Sequence, residues 1–252
     1  MKPINGSYVS ACCIILLLIL IALLPSGCLQ TEQATPALIP DEVLQGTGWV
    51  QVGDASYEDI DQQIAGINVS ISMASVVYGD EKLRNEILDS ARAQAEEIDK
   101  SLATNINSII DEFDNQDFAG IRTVRVMLPA GITIPNALLD NIIDKQIQTF
   151  VTELGIQEFH LAGEESFTTS SGEEATLKTY RGHIENNVVS NIEVLSAYWN
   201  DGDSTIIAVA YYPYGDITTH YTLYNKEMDI KITSIDEQSM KEEVVKLITN
   251  IG

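Results

Sequence analysis

The stretch from Asn191 to Pro213 constrains the fold more than any other part of the chain. It reads as two strands, Asn191–Trp199 and Ser204–Pro213, joined by Asn200-Asp201-Gly202-Asp203. A short polar connection with a Gly, set between apolar runs, is the signature of a β-hairpin. Both parities of the first strand are apolar: Val194 and Tyr198 face one way, Leu195 and Trp199 the other. Such a strand is covered on both sides rather than open to water. The expected fold is therefore α+β, a largely antiparallel sheet packed by helices in an α-β-α sandwich-like arrangement.

The remaining patterns supply the parts. Gly46–Val52 reads as a short strand. Ile67, Val69, Ile71 and Met73 alternate with Asn68, Ser70 and Ser72, a half-buried strand that runs on to Tyr78 and stops at Gly79-Asp80. Leu83, Ile87, Ala91, Ala95, Ile98, Leu102, Ile106, Ile109 and Phe113 recur every three or four residues. They form one apolar stripe on a helix capped by Asp80, spanning roughly 45 Å at 1.5 Å per residue. Ile121–Leu128 alternates again and ends at Pro129, and a second amphipathic helix opens at Asn136 and closes at Gly155. Ile156–Phe167 and Ala175–Ile184 flank Ser170-Ser171-Gly172, a second hairpin signal. Met228, Ile230 and Ile232 give one more strand, and Glu237–Ile251 a terminal helix.

The amino terminus is an address rather than part of this fold. Lys2 is the only charged residue before Glu32, and an apolar run from Val9 to Leu24 follows it, as in a secretory signal. The run falls short of the roughly 20 residues a spanning helix needs, and Pro25 ends it. Leu24-Pro25-Ser26-Gly27-Cys28 resembles the lipobox of prokaryotic lipoproteins, where cleavage leaves a cysteine to take a lipid. Ser26 and Gly27 match its small positions; Pro25 stands where Leu is usual. The division that follows is a signal peptide over 1–27, a lipidated Cys28 with a flexible linker over 28–41, and one α+β extracytoplasmic domain over 42–252. Leu29–Asp41 reads as a solvated spacer, reaching ~40 Å at about 3.1 Å per residue. The alternative is an uncut anchor in which Cys28 is incidental. Cys12 and Cys13 lie inside the apolar run, so no disulfide framework exists downstream.

Charge narrows the partners. The chain carries 14 Lys+Arg against 37 Asp+Glu, a formal net charge of -23. Cleavage after Gly27 removes Lys2 and no acid, leaving 13 against 37 and a charge of -24. A surface this acidic repels phosphate, which excludes a nucleic-acid partner. A hydrophobic share of 45% excludes disorder throughout the chain.

A resemblance enters through a few residues and the order of elements. Trp49 follows an early Gly, Tyr78 closes the second strand, and Pro129 precedes a helix begun at Asn136. Tyr180-Arg181-Gly182 sits in a strand, Tyr212-Pro213 ends another, and an amphipathic helix closes the chain. This pattern resembles an archaeal family of lipoproteins of unknown function. The resemblance implies an acidic, lipid-anchored protein in the cell membrane, facing a saline exterior. The order of sheet and helices is also similar to the PsbP/Mog1-like sandwich, a scaffold of small accessory and binding proteins.

Chemistry-bearing residues are few. His160, His183 and His220 lack metal-ligand spacing, and the first two would pair only if the register of their neighbouring strands allowed it. Asp111, Glu112, Asp114 and Asp117, and the turn acids Asp201 and Asp203, have the oxygen chemistry Ca²⁺ prefers but not the order of a calcium loop. They read as solvated faces. Tyr198, Tyr211, Tyr212, Tyr214, Tyr221 and Tyr224 cluster late, beside Trp199, and either form a recognition surface or fill the two sheet faces. Asn68-Val69-Ser70 is a glycosylation sequon within a strand. No nucleophile elbow and no phosphate loop occurs, so no catalytic residue, metal or cofactor is assigned. Cys28 is the single site residue, for lipidation. The expected function is a lipid-anchored, non-enzymatic binding or accessory module. Its partners are the membrane, through the lipid, and an unknown protein or small molecule. A surface hydrolase using a His/carboxylate site and a structural envelope protein are the alternatives.

Overall fold

A computed structural model describes residues 32–64, 66–98, 118–129, 134–185, 188–223 and 226–252. In chain order the elements are α1 (Asp41–Leu44), β1 (Trp49–Gln51), β2 (Ser56–Ile64), β3 (Ile67–Asp80), α2 (Glu81–Ile98), β4 (Gly120–Met127), α3 (Asn136–Leu154), β5 (Ile156–Thr168), β6 (Glu174–Glu185), β7 (Val188–Asp201), β8 (Ser204–Leu223), β9 (Lys226–Ile235) and α4 (Glu237–Thr249). The nine strands form one open sheet in the order β1-β3-β4-β8-β7-β6-β5. β2 shares an edge of β3 with β1, and β9 shares an edge of β8 with β4. Every pairing is antiparallel.

The double-faced patterning of the β7–β8 hairpin sets where the core lies. Along β8, Ile206, Ala208, Ala210 and Tyr212 enter one hydrophobic cluster with residues of α2 and α4. Ile207, Val209 and Tyr211 enter another, where Leu139, Ile142, Ile143, Ile147 and Phe150 of α3 pack. Period-2 geometry forces this division, since successive side chains leave opposite faces.

Local chemistry places the helices much as the residues suggest. Asp80 Oδ1 accepts from Leu83 N at 2.9 Å and caps α2. Asp236 Oδ1 does the same for α4, accepting from Ser239 N at 2.8 Å. Gly155 ends α3 in the left-handed region at φ +65°. The described part of α2 runs to Ile98; the stripe beyond it, to Phe113, lies outside the described residues. Among the described residues no helix is long and apolar enough to cross a membrane.

Three features of the fold are not those the sequence pattern predicts. β8 does not stop at Pro213 but continues to Leu223. Pro213 falls in the gap between Tyr211, the last residue paired with β4, and Gly215, the first paired with β9. A residue without an N–H is tolerated where one flank of the strand has no ladder to complete. β2, with the sequence Ser-Tyr-Glu-Asp-Ile-Asp-Gln-Gln-Ile, carries no apolar alternation that would mark it as a strand, yet pairs along β3 from Ser75 to Ile67.

The third concerns the spacer. Residues 34–40 are packed on the sheet rather than solvated: Ala34, Ala37 and Ile39 are at most 2% exposed. Ala34 N donates to Ser72 Oγ at 3.1 Å, Ile39 N to Tyr78 Oη at 3.0 Å, and Thr123 Oγ1 to Ala37 O at 2.6 Å. Leu38 and Gly252 exchange both backbone hydrogen bonds. Prolines suppress regular structure in this segment, but its backbone groups find partners on other elements, which composition alone does not reveal.

Candidate functional site

Two polar features lie at the end of the sheet where β3 finishes. The first crosses β6, β7 and β8, where Arg181, Glu193 and Tyr212 are successive cross-strand partners. Glu193 is 1% exposed, on the face shared with Leu195 and Trp199. Its Oε2 accepts from Arg181 Nε at 3.1 Å, and its Oε1 accepts from the Tyr212 hydroxyl. Arg181 Nη2 also reaches Glu237, the first residue of α4, and the guanidinium lies 5.2 Å from the Tyr214 ring centre. Burial and then the Glu193 carboxylate hold the Tyr212 phenol far above its ordinary range. The hydroxyl is committed to donating to Glu193, a structural role. The cluster joins α4 to the sheet.

Gly182 follows Arg181 for a steric reason. A Cβ there would lie 2.4 Å from Ile156 Cγ2 and 2.7 Å from the Gln157 carbonyl oxygen. β5 approaches this closely because its register shifts between Gln157 and His160, with Glu158 at φ +52°.

The second feature is an open cleft of about 240 Å³ between the amino-terminal ends of α2 and α4. Among the described residues, Asp80, Glu86, Asp236 and Glu243 contribute carboxylates to its wall, Lys82 an ammonium, and Ser234 and Ser239 hydroxyls. Gly48, at φ +104°, lets the preceding loop lie against the start of α2, since a Cβ would come within 2.4 Å of Lys82 Cβ. Burial raises the Asp80 carboxyl above its ordinary pKa despite the backbone N–H donors around it. Burial and then the Asp80 charge raise Glu243. Beneath the cleft, the indole N–H of Trp49, a residue 2% exposed, faces the Glu243 carboxylate. Neither that N–H nor Glu243 Oε1 meets a partner in good hydrogen-bond geometry.

Of the candidate residues singled out from sequence, Tyr212 and Tyr214 enter the first feature and the others fall elsewhere. Cys28 and the acids Asp111, Glu112, Asp114 and Asp117 lie outside the described residues. Asp201 pairs with Arg125, and no group of three or more metal-ligating side chains occurs among the described residues. The register does not pair His160 with His183: they stand opposite Arg181 and Gln157. His183 Nδ1 is 3.8 Å from Glu158 Oε2 and its Nε2 4.0 Å from Glu185 Oε2, both on exposed side chains outside the cleft. The side chain of His220 is outside the described set. The late tyrosines whose side chains are described divide between the faces. Tyr211 packs at 5.0 Å on Phe150, Tyr212 is buried on the opposite face, and Tyr198 is 38% exposed.

Part of the signal for the Arg181–Glu193–Tyr212 cluster is in the sequence. Glu193 occupies an inward position in phase with Leu195, Ala197 and Trp199, on a strand read as covered on both faces. A carboxylate there requires partners, and Arg181 and Tyr212 are the available ones.

Comparison with known proteins gives a family. A model described as a domain of unknown function, DUF6517, matches residues 36–252. The chain belongs to the DUF6517 family. The match begins within the packed segment, at residue 36, and so takes in Ala37, whose carbonyl accepts from Thr123 Oγ1. None of the curated proteins compared matches. The crystal structure of a protein of unknown function, PA94 from Pseudomonas aeruginosa, is similar over 37% of this chain at 13% identity, with a TM-score of 0.22. The similarity spans 58% of that protein's chain.

Proposed function

We propose that this DUF6517 domain is a non-enzymatic binding module, held at the outer face of a cell membrane by a lipid on Cys28. In this reading residues 1–27 are a cleaved signal, and the folded part is an α-β-α sandwich-like unit that presents its cleft away from the membrane. The observation that carries it is the position of the strap. Ala34 is fixed to Ser72, and β3 runs eight residues from there to Asp80, roughly 26 Å at about 3.3 Å per residue. Five residues separate Cys28 from Ala34, which limits the tether to roughly 20 Å. The cleft is thus at the far end from the tether. Four carboxylates against one ammonium among the described lining residues favour a cationic group, which would relieve the repulsion between Glu243 and Asp80.

The test has two arms. Cys28→Ser should move the protein from the membrane pellet to the soluble fraction; a variant that stays in the pellet at full molecular weight supports an uncut anchor and removes the lipid reading. Binding of cadaverine, a small diammonium probe, should weaken about tenfold in Glu243→Gln, as loss of one charged contact implies. Equal affinity in both proteins would remove the cleft as the binding site.

A further inference from the structure

We infer that Asn68 is the acceptor of an N-linked glycan, a proposal that rests on the exterior placement proposed above. Asn68-Val69-Ser70 is the only Asn-x-Ser/Thr triplet after Cys28. Its place in a strand argues against modification only while that strand is held on both edges, and it is not. β2 pairs with β3 from Ser75 to Ile67, whereas β4 pairs with β3 no further than Ser72. Residues 67–71 therefore belong to a two-stranded arm that projects past the rest of the sheet. Beyond Ser72 no described strand pairs with the second edge of β3, so Asn68 can be approached from that flank while Val69 and Ile71 keep the arm in the core cluster shared with α3. Strand alternation settles the orientation: Val69 is 1% exposed in the α3-side core, and Asn68 points to the other face, exposed to solvent, as a glycan requires.

The arm also stands at the tethered end of the domain. Asn68 is four residues from Ser72, where Ala34 is fixed, a distance of about 13 Å along the strand. Anchoring through Cys28 brings Asn68 to the membrane surface, where a polyprenyl-phosphate-linked oligosaccharide, the co-reactant for this step, resides. In the transfer, Asn68 Nδ2 forms a bond to the anomeric carbon of the first sugar. The bond from that carbon to the phosphate oxygen breaks, and its electron pair leaves with the lipid phosphate. The amide gives up one proton to a base of the transferase.

The experiment is mass spectrometry of the full chain isolated from membranes of its own cells, combined with protease treatment of intact cells to read its exposure. The peptide carrying Asn68 should be heavier by an oligosaccharide and yield sugar fragments. Asn68→Gln and Ser70→Ala should both lose the added mass, and Ser70→Thr should keep it. Unmodified Asn68 on a chain that external protease digests overturns the glycan and leaves the exterior placement intact. Unmodified Asn68 on a protected chain overturns both.

Discussion

Tyr212, Glu193 and Arg181 show how one buried carboxylate commits its neighbours. Glu193 has little access to water, so its charge is carried by the guanidinium and the phenol. Tyr212→Phe leaves Glu193 Oε1 buried without a donor and should cost about 1–3 kcal/mol in urea denaturation. Arg181→Met should cost more, about 2–4 kcal/mol, the partial exposure of the guanidinium keeping the loss below that of a fully buried pair. A loss under about 0.5 kcal/mol would mean that the cluster does not hold α4, given that ordinary surface substitutions stay within that range. Glu243 should behave in the opposite sense. Its folded pKa is raised, so its ionisation opposes folding at neutral pH, and that opposition disappears as pH falls through the raised value. Glu243→Gln should therefore be more stable than the wild type at neutral pH, with the difference in melting temperature closing in acid. A difference independent of pH would show that charge is not its source.

Among the elements, the strap over residues 34–40 is the one whose removal should be most informative. Its apolar residues cover β3 on the α2 and α4 face, and its backbone supplies partners to Ser72, Tyr78 and Thr123. A protein beginning at Asp41 loses the burial of Ile39 and these hydrogen bonds, and should be less stable by roughly 3–5 kcal/mol. Melting at the temperature of a protein beginning at Glu32 would return the segment to the status of a spacer. β2 illustrates the opposite case. It has one partly buried apolar residue on its inner face, Ile60, while Tyr57 is 54% exposed. Its place depends on backbone pairing with β3 rather than on a side-chain pattern, which is why its sequence does not announce a strand.

For the molecule as a whole, the dominant electrostatic fact is a net charge of -23 distributed over the chain. Self-repulsion of that kind opposes compaction and weakens as the screening length falls from roughly 30 Å at 0.01 M salt to about 3 Å at 1 M. Melting temperature should rise with KCl, most steeply at low concentration, and NaCl should match it. Micromolar Ca²⁺ at fixed ionic strength should add nothing, whereas a tight site would stabilise by mass action. A flat KCl series would show that the charges are too dispersed to strain the fold.

The sequence by itself determined the two hairpins, the amphipathic helices over their described lengths, the caps at Asp80 and Gly155 and the need to cover both sheet faces. Each of these follows from contacts between residues near in sequence or from a period of 2 or 3.6 along one segment. It also carried Glu193 as an inward charge with no stated partner. Only the tertiary structure decided which residues answer that charge, because Arg181 and Tyr212 reach it from the two neighbouring strands, and Arg181 pairs in turn with Glu237 of α4. The continuation of β8 past Pro213, the place of β2 and the binding of the strap were decided in the same way. In each case the deciding hydrogen bonds are made by backbone groups or lone side chains to partners distant in sequence, and no periodicity records such partners.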